Sequence, residues 1–282
     1  MNAVASGLSR LFSAAIAERR LDVPPMPATA AEVLRLCQQE TTDAAKLSAV
    51  VHRDPTIASN VLRVANSVAY AAQVPCTSLQ QACSRLGMRV ITDIATAVAV
   101  RGRLFANDKC ADLLAMLWKH SVLTGFFAKE IARLRRRNVE IAFLCGLLHD
   151  VGKAVLLDNA DRAMGDGALR LPLDELLEVL HEHHVAAGTM LAREWRLADQ
   201  FVEAIQCHHS TGEAKRFQDL AMTIGFADVL AHHTAASVFA AAPLEEELRS
   251  HPLLEALDLY PDQVTTLLAM KGQALAVTES LR

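Results

Sequence analysis

Alanine and leucine dominate this chain and constrain its fold more than any other feature. There are 48 alanines and 40 leucines among the 282 residues, and both residue types have a high helix propensity. Residues that interrupt helices are few, since the chain has 12 glycines and 9 prolines. The 52% of hydrophobic residues excludes a disordered chain and is enough for a large core. The composition therefore predicts an all-α fold.

The net charge of −4 is divided unevenly along the chain. Residues 1–113 carry 12 basic and 9 acidic residues, whereas the remainder carries 16 basic and 23 acidic residues. Neither part has the basic excess of proteins that bind a nucleic-acid backbone, so we do not expect a nucleic-acid partner. No run of ~18 residues is both uncharged and continuously apolar, as a membrane span requires; the longest uncharged run, 64–84, contains several polar residues and a proline.

The cysteines and the first residues predict the cellular compartment. The six cysteines form no CxxC pair, and several stand in apolar helical contexts, as reduced core cysteines do. The first 20 residues are typical of a short amphipathic helix, with Leu8, Leu11, Phe12 and Ala15 on one side. They lack the apolar core and cleavage site of a secretion signal. We therefore expect a soluble, cytoplasmic protein.

Helix-capping signals divide the first part of the chain into short helices. Three residue pairs have N-cap spacing: Thr29 with Glu32, Asp54 with Pro55, and Ser78 with Gln81. Gly87 suits the left-handed residue that ends a helix. We predict helices that begin near these pairs, a further one at 42–51, and one at 89–104. Together they form an N-terminal bundle over residues 1–113.

The helices predicted after residue 112 are longer and more apolar. Their ranges are 113–134, 139–157, 173–195, 198–209, 215–233 and 244–256, with a last helix after Pro261. Residues 158–171 contain two glycines and are expected to form a polar loop. We assign residues 114–282 to a second helical lobe, on which the N-terminal bundle packs.

Four arginines cluster at the end of the helix predicted at 113–134. They are Arg133, Arg135, Arg136 and Arg137. Such a cluster could bind the phosphate of a nucleotide. Alternatively, the helix dipole alone favours cations at a helix C-terminus. The sequence leaves both interpretations open.

Histidines and aspartates occupy positions that helical periodicity assigns to the core. His184 shares a helix face with leucines, Asp228 shares one with Ile224, and His149-Asp150 follows an apolar run. An isolated buried charge costs several kcal/mol unless it is paired or bound to metal. One such histidine alone could be an ordinary hydrogen-bonded core residue. Their recurrence on successive helices indicates a metal site, whose nitrogen and oxygen donors suit Fe, Mn, Ni or Zn.

The run His149-Asp150-Val-Gly-Lys153 resembles the HDxGK signature of the HD phosphohydrolase superfamily. Other blocks resemble the HDOD family, a helical regulatory relative of those enzymes in bacterial signalling proteins. In chain order these blocks are Leu21 to Pro27, His52 to Pro55, Leu62 to Ser67, Ser78 to Ala82, Leu86-Gly87, Trp118 to Ser121, His184 to Gly188 and Phe201 to His209. The resemblance covers about residues 21–233, and the ordered set is more specific than HDxGK alone.

The resemblance implies a site for one or two divalent transition-metal ions. The positions that match metal ligands are His120, His149, Asp150, His184, His208, His209 and Asp228. Asp150 matches the aspartate that bridges two metals where two are present. Asp150 and Lys153 would be the catalytic residues of an active enzyme, and Lys153 could contact a phosphate of the substrate.

Two positions depart from the two-metal cyclic-dinucleotide phosphodiesterases of this superfamily. Those enzymes carry an acidic residue one turn before the first histidine, where this chain has Met116. They also follow the double histidine with an acidic residue and a Gly-Tyr-Pro block, where this chain has the segment 210–216. The missing recognition element argues against hydrolysis of cyclic di-GMP.

HDOD proteins generally act without catalysis, so the resemblance implies a regulatory signal-transduction protein that binds other signalling proteins. The alternative is a metal-dependent phosphohydrolase that acts on a nucleotide or another phosphoester, because nearly the full ligand set is retained. No receiver, kinase or cyclase segment accompanies the HDOD region, so we expect the signal to come from another chain.

Overall fold

The protein, represented by a computed structural model, is α-helical, as predicted. The structure describes residues 3–37, 49–51, 53–67, 69–70, 74–164, 171–235 and 242–281, and these contain no strand. The N-terminal helices are α1 (Ala3–Ala17), α2 (Ala28–Cys37), α3 (Pro55–Ala65) and α4 (Leu79–Leu104). The helix predicted at 42–51 lies almost entirely outside the described residues, as do residues 165–170.

The second part begins after a short 3-10 helix at Asp108–Cys110. Its helices are α5 (Ala111–Leu134), α6 (Val139–Leu148), α7 (Val151–Met164), α8 (Leu173–Glu194), α9 (Asp199–Cys207), α10 (Gln218–Thr234), α11 (Glu245–Arg249), α12 (Leu253–Ala256), α13 (Pro261–Ala269) and α14 (Lys271–Ser280). The single helix predicted at 244–256 is thus two short helices, because Pro252 has no N–H to continue the first.

Two of the three predicted N-caps are confirmed. Asp54 Oδ1 accepts hydrogen bonds from the N–H groups of Thr56 and Ile57, at 2.9 and 3.2 Å. Ser78 caps α4, and Gly87, with φ +74°, kinks it where we predicted a helix end. The cap predicted at Thr29 is wrong. The helix α2 already begins at Ala28, and Pro27 supplies the first accepting carbonyl.

The helix predicted at 139–157 is broken at His149-Asp150. These two residues form a turn between α6 and α7, where α7 changes direction to pack against α8. The predicted loop at 158–171 is helical as far as Met164. An ion pair of Arg162 with Asp158, one turn apart at 2.8 Å, and the complete burial of Ala160 stabilise this extension.

The helix α5 lies at the centre of the molecule and packs against α6, α10 and α14. One apolar cluster runs continuously from Ala5 in α1 to Leu281. In α1, Leu8 and Phe12 are buried as predicted, whereas Leu11 is exposed. The lobe boundary at residue 113 stays a prediction, because core residues on both sides belong to this cluster.

Buried tryptophans connect distant parts of the chain. Trp118 donates to the carbonyl of Leu281 at 3.0 Å, and Trp195 donates to the carbonyl of Pro24 at 2.8 Å. The C-terminal helix α14 contacts both α5 and α3. Among the described helices, none combines the length and the hydropathy that crossing a membrane requires.

Candidate metal centre

Close contacts between glycines and neighbouring helices bring the functional side chains together. A Cβ atom at Gly152 would lie 1.9 Å from the carbonyl oxygen of His184. A Cβ atom at Gly146 would lie 2.7 Å from the Cα atom of Gly125. Only glycine permits such an approach. The pairs α7/α8 and α5/α6 are therefore in backbone contact beside the histidines that they carry.

The first half-site comprises His120, His149, Asp228 and the Oδ2 atom of Asp150. The Nε2 atom of His120 lies 2.9 Å from Asp228 Oδ1 and 3.3 Å from the Nε2 atom of His149. Asp150 Oδ2 lies 3.7 Å from the Nε2 atom of His120 and 3.6 Å from that of His149. These residues come from α5, α10 and the turn after α6.

The second half-site comprises His184, His208, His209 and the Oδ1 atom of Asp150. This oxygen lies 3.2 Å from the Nε2 atom of His184 and 3.8 Å from that of His208. The Nε2 atom of His184 is 3.4 Å from the Nε2 atom of His208 and 3.1 Å from that of His209. The two oxygens of Asp150 therefore face two different sets of histidines.

Backbone carbonyls orient three of these rings. The Nδ1 atoms of His149, His184 and His208 lie 2.7 to 2.8 Å from carbonyl oxygens three residues earlier in the chain. Because a carbonyl only accepts hydrogen bonds, these partners assign the ring proton to Nδ1. In the neutral rings of His184 and His208, each Nε2 atom then directs a lone pair into the centre, as in histidines that bind metal.

Burial keeps the three histidines of the second half-site neutral. It lowers the pKa of His184 to about 4 and that of His208 to about 3. Burial also lowers the pKa of the more exposed His209, to about 4. At neutral pH these rings are therefore uncharged, and the Nε2 atoms of His184 and His208 carry lone pairs rather than protons, an arrangement that a bound cation would stabilise.

Asp150 combines complete burial with a negative charge. Burial alone would raise the pKa of its carboxyl, but Lys153 and the surrounding histidines hold that pKa well below its usual range. The ammonium group of Lys153 hydrogen-bonds Asp150 Oδ2, whereas Asp150 Oδ1 is buried and accepts no hydrogen bond. Such an oxygen costs free energy unless a cation or a donor reaches it.

The donor set fits divalent transition metals. The structure contains three overlapping groups of ligand atoms within 4.8 Å of one another: Asp150, His184, His208 and His209; His120, His149 and Asp150; and His120, Asp228 and His232. Nitrogen and carboxylate donors are the ligands that Fe, Mn, Ni and Zn accept. All seven predicted ligands lie in this centre. The side chain of Lys153 is buried against Asp150, and its contact with a phosphate stays a prediction.

His232 belongs to the centre but was missed in the sequence. Its Nε2 atom lies 3.3 Å from Asp228 Oδ1, and its ring centroid lies 4.5 Å from that of His120. The only sequence signal is its position four residues after Asp228, which places both side chains on one face of α10. Met116, at the position where related enzymes have an acidic ligand, is partly buried against the apolar core.

Comparisons with known proteins bear on the family of this chain. The family model of the HDOD domain matches residues 23–211, which is more than half of the chain. A protein of Treponema pallidum (strain Nichols) of uncharacterised function is 24% identical over 227 residues, covering 77% of this chain and 44% of its own length. Ribonuclease Y of Mycoplasmoides gallisepticum is 31% identical over 90 residues, covering 32% of this chain and 14% of its own. The chain thus spans less than half the length of either curated relative.

Solved structures share the fold. An HDOD domain protein of Geobacter sulfurreducens superposes with a TM-score of 0.72 at 19% identity, covering 98% of this chain and 96% of that one. A protein of Shewanella amazonensis SB2B assigned to the metal-dependent phosphohydrolases has a TM-score of 0.71 at 17% identity and full coverage of both chains. At these identities the structures show the fold alone. With the family match and the ordered histidines and aspartates, the conclusion is that this chain belongs to the HDOD domain family.

Proposed function

We propose that this chain is a cytoplasmic signal-transduction module that binds other signalling proteins and holds one or two divalent transition-metal ions in its HD-type centre. The observation that carries the metal assignment is the position of Asp150 between two sets of histidines. Its Oδ1 atom is buried without a hydrogen bond, and unprotonated Nε2 atoms face it. A metal held there would stabilise the folded state, because the unfolded chain does not assemble the ligands.

Two observations support regulation over catalysis. The Lys153 ammonium group is buried and hydrogen-bonded to Asp150, which leaves it poorly placed to reach a substrate phosphate. The segment after His209 forms a short 3-10 helix at Thr211–Glu213 instead of the Gly-Tyr-Pro block of related phosphodiesterases. His120 in α5, His184 in α8 and Asp228 in α10 would hold the metal, so metal binding would couple these three helices and with them the surface that partners bind.

A second candidate function is phosphoester hydrolysis, and the position of Asp150 between the two half-sites also favours it. A metal pair, when bound, would supply an activated water and a Lewis acid. His209 is exposed, so the second half-site is open to a ligand from solvent. The candidate substrates of such an activity are nucleotides and simple phosphoesters. RNA is a further candidate, because two of the curated relatives are named ribonuclease Y.

Metal analysis with a phosphoesterase screen separates these functions. The samples are wild type, Asp150→Asn and the control Asp158→Asn, which changes an aspartate of α7, the helix that follows Asp150, outside the centre. The substrates are bis(p-nitrophenyl) phosphate, AMP, cyclic GMP and a short RNA. We expect about one or two equivalents of metal in wild type and in Asp158→Asn, a loss of roughly tenfold or more in Asp150→Asn, and no turnover.

Two results would contradict parts of the proposed function. Metal-dependent turnover in wild type that Asp150→Asn abolishes, while the fold by circular dichroism is retained, would replace regulation with hydrolysis. Wild-type protein with less than about a tenth of an equivalent of metal, after reconstitution with Fe, Mn, Ni or Zn, would contradict the metal assignment itself.

A further inference from the structure

A cavity of about 220 Å³ lies outside the metal centre, where the first turns of α6, α9 and α10 meet the end of α5. Its floor is apolar and includes Ile141, Leu220 and the ring of Phe217. Its polar rim includes Arg137, Arg216 and Gln200. The cavity is thus lined by apolar side chains, by hydrogen-bond donors and by the carboxylate of Asp219.

The arginines at the end of α5 differ in the contacts that they make. Arg133 pairs with Glu130 one turn earlier in the same helix. Arg135 is only 9% exposed, lies 2.6 Å from Asp219 and donates to the carbonyl of Leu257. Both guanidinium groups are therefore used within the chain. Arg137 differs, because it is 61% exposed and lines the cavity.

The arginines that line the cavity keep hydrogen-bond donors available for a ligand, although the acidic residues Asp219 and Asp199 are near. Arg135 neutralises Asp219 at 2.6 Å. The longer contact of Arg137 with Asp219 Oδ2, at 3.4 Å, is made through Nε, so the two terminal nitrogens of Arg137 can donate to an anion. Arg216 is 67% exposed and pairs with Asp199 at the surface. Its guanidinium carbon also lies 5.2 Å from the ring centroid of Phe217, a cation–π contact.

We propose that this cavity is a binding site for a small organic anion that carries one planar ring system. A planar ring would pack on Phe217 and Ile141, and a phosphate or carboxylate would accept hydrogen bonds from Arg137 and Arg216. Guanidinium groups match the geometry of both anions. The volume of 220 Å³ is below that of pockets for drug-sized ligands, which limits the ligand to one ring system.

The site is separate from the metal centre but is connected to it through three helices. Ile141 in α6 precedes His149 by eight residues, which is about 12 Å of helix. The helix α9 begins at the cavity and ends before His208, and α10 leads from Leu220 to Asp228. The proposal is independent of the proposed function, since it needs neither bound metal nor turnover.

Isothermal titration calorimetry with four compounds tests the site. AMP carries a ring system and a phosphate, benzoate a ring and a carboxylate, adenosine the ring system alone, and inorganic phosphate the anion alone. We expect saturable binding of AMP, benzoate or both, at least about tenfold tighter than adenosine and phosphate, because ring and anion contacts add. The AMP and benzoate arms also distinguish a phosphate from a carboxylate ligand.

Four variants locate the bound compound. Arg137→Gln and Phe217→Leu should each weaken binding at least about tenfold. Arg133→Gln, the control in the same arginine cluster, and Asp150→Asn, in the metal centre, should leave it within about twofold. Binding that Asp150→Asn abolishes while Arg137→Gln leaves it intact would place the compound at the metal centre and overturn the proposal. So would the absence of saturable binding of both AMP and benzoate at millimolar concentration.

Discussion

Two buried aspartates, Asp93 in α4 and Asp150 after α6, have similar local contacts and different surroundings. Each is hydrogen-bonded through Oδ2 to a lysine that is itself buried, Lys129 and Lys153 respectively. Each has an Oδ1 atom that is buried and accepts no hydrogen bond. The difference is that histidine nitrogens surround Asp150, whereas the charges that act most on Asp93 are those of Lys129, Glu140 and Arg133.

The pKa values of the two carboxyls diverge accordingly. Burial raises the pKa of Asp93 to about 6, against the attraction of Lys129. Burial acts in the same direction on Asp150, but Lys153 together with the histidines holds its pKa well below the usual range. A buried aspartate–lysine pair is therefore not evidence of a metal site by itself. The ring of lone-pair donors around Asp150 distinguishes it.

The largest expected effect comes from the contact that positions Asp150. In Gly152→Ala the new Cβ atom would lie 1.9 Å from the backbone oxygen of His184. Backbone cannot move aside as a side chain can, so we expect a loss of about 3 kcal/mol or more in the free energy of unfolding. Metal binding should weaken as well. Denaturation in urea and metal analysis measure the two effects.

Gly102→Ala is the matched control in α4, the helix that carries Asp93. A Cβ atom at Gly102 meets nothing within 4 Å. Because alanine is the better helix former, this variant should gain about 0.5–1 kcal/mol in stability and keep its metal. If Gly152→Ala were as stable as Gly102→Ala, the close contact of α7 with α8 at Asp150 would be wrong.

The same contact shows where sequence reasoning ends. The excess of alanine and leucine predicts the helical fold, and the pairing of His149 with Asp150 predicts the centre. The apolar pattern, however, continues across residues 149–150, so it predicts one helix. In α7, directly after the break, Gly152 is in backbone contact with a residue 32 positions later in the chain. Local propensity contains no information about such a contact.

Asp93 was missed for a related reason. It lies within a run of alanines and β-branched residues that is typical of an apolar helix. Its partner Lys129 is 36 positions away, so no spacing links the two. Asp150, in contrast, adjoins a histidine and belongs to a motif of five residues. A buried polar group can be predicted when its partners are adjacent in the sequence or when a family repeats the pattern.

Removal of the metal should have the next largest effect, and it tests whether the site at Asp150 differs from that at Asp93. A ligand present at 100 times its Kd stabilises a protein by about 2.7 kcal/mol. Removing the metal with EDTA should therefore lower the free energy of unfolding of wild type by roughly this amount. Asp93→Asn should respond like wild type, and Asp150→Asn should not respond. An equal response of the two variants would remove the distinction between the sites.

We expect Asp93 to make the protein less stable as the pH rises. Its carboxyl titrates near 3.8 in the unfolded chain and at about 6 in the folded protein, where Lys129 and Arg133 lower the pKa and burial and Glu140 raise it. The folded state thus binds more protons between these values. The stability that this group contributes is complete below pH ~4 and is lost as the pH rises through ~6.

Asp93→Asn isolates this contribution, because asparagine resembles the protonated carboxyl. Between pH 4 and pH 7 wild type should lose about 2 kcal/mol relative to Asp93→Asn, as urea denaturation at each pH would show. Asp108→Asn, which removes an exposed charge beyond the end of α4, is the control and should show no such trend. Effects of pH on the metal centre are common to all three proteins and cancel in the differences. A constant difference between wild type and Asp93→Asn would mean that Lys129 compensates the burial of Asp93 fully, as Lys153 and the histidines do for Asp150.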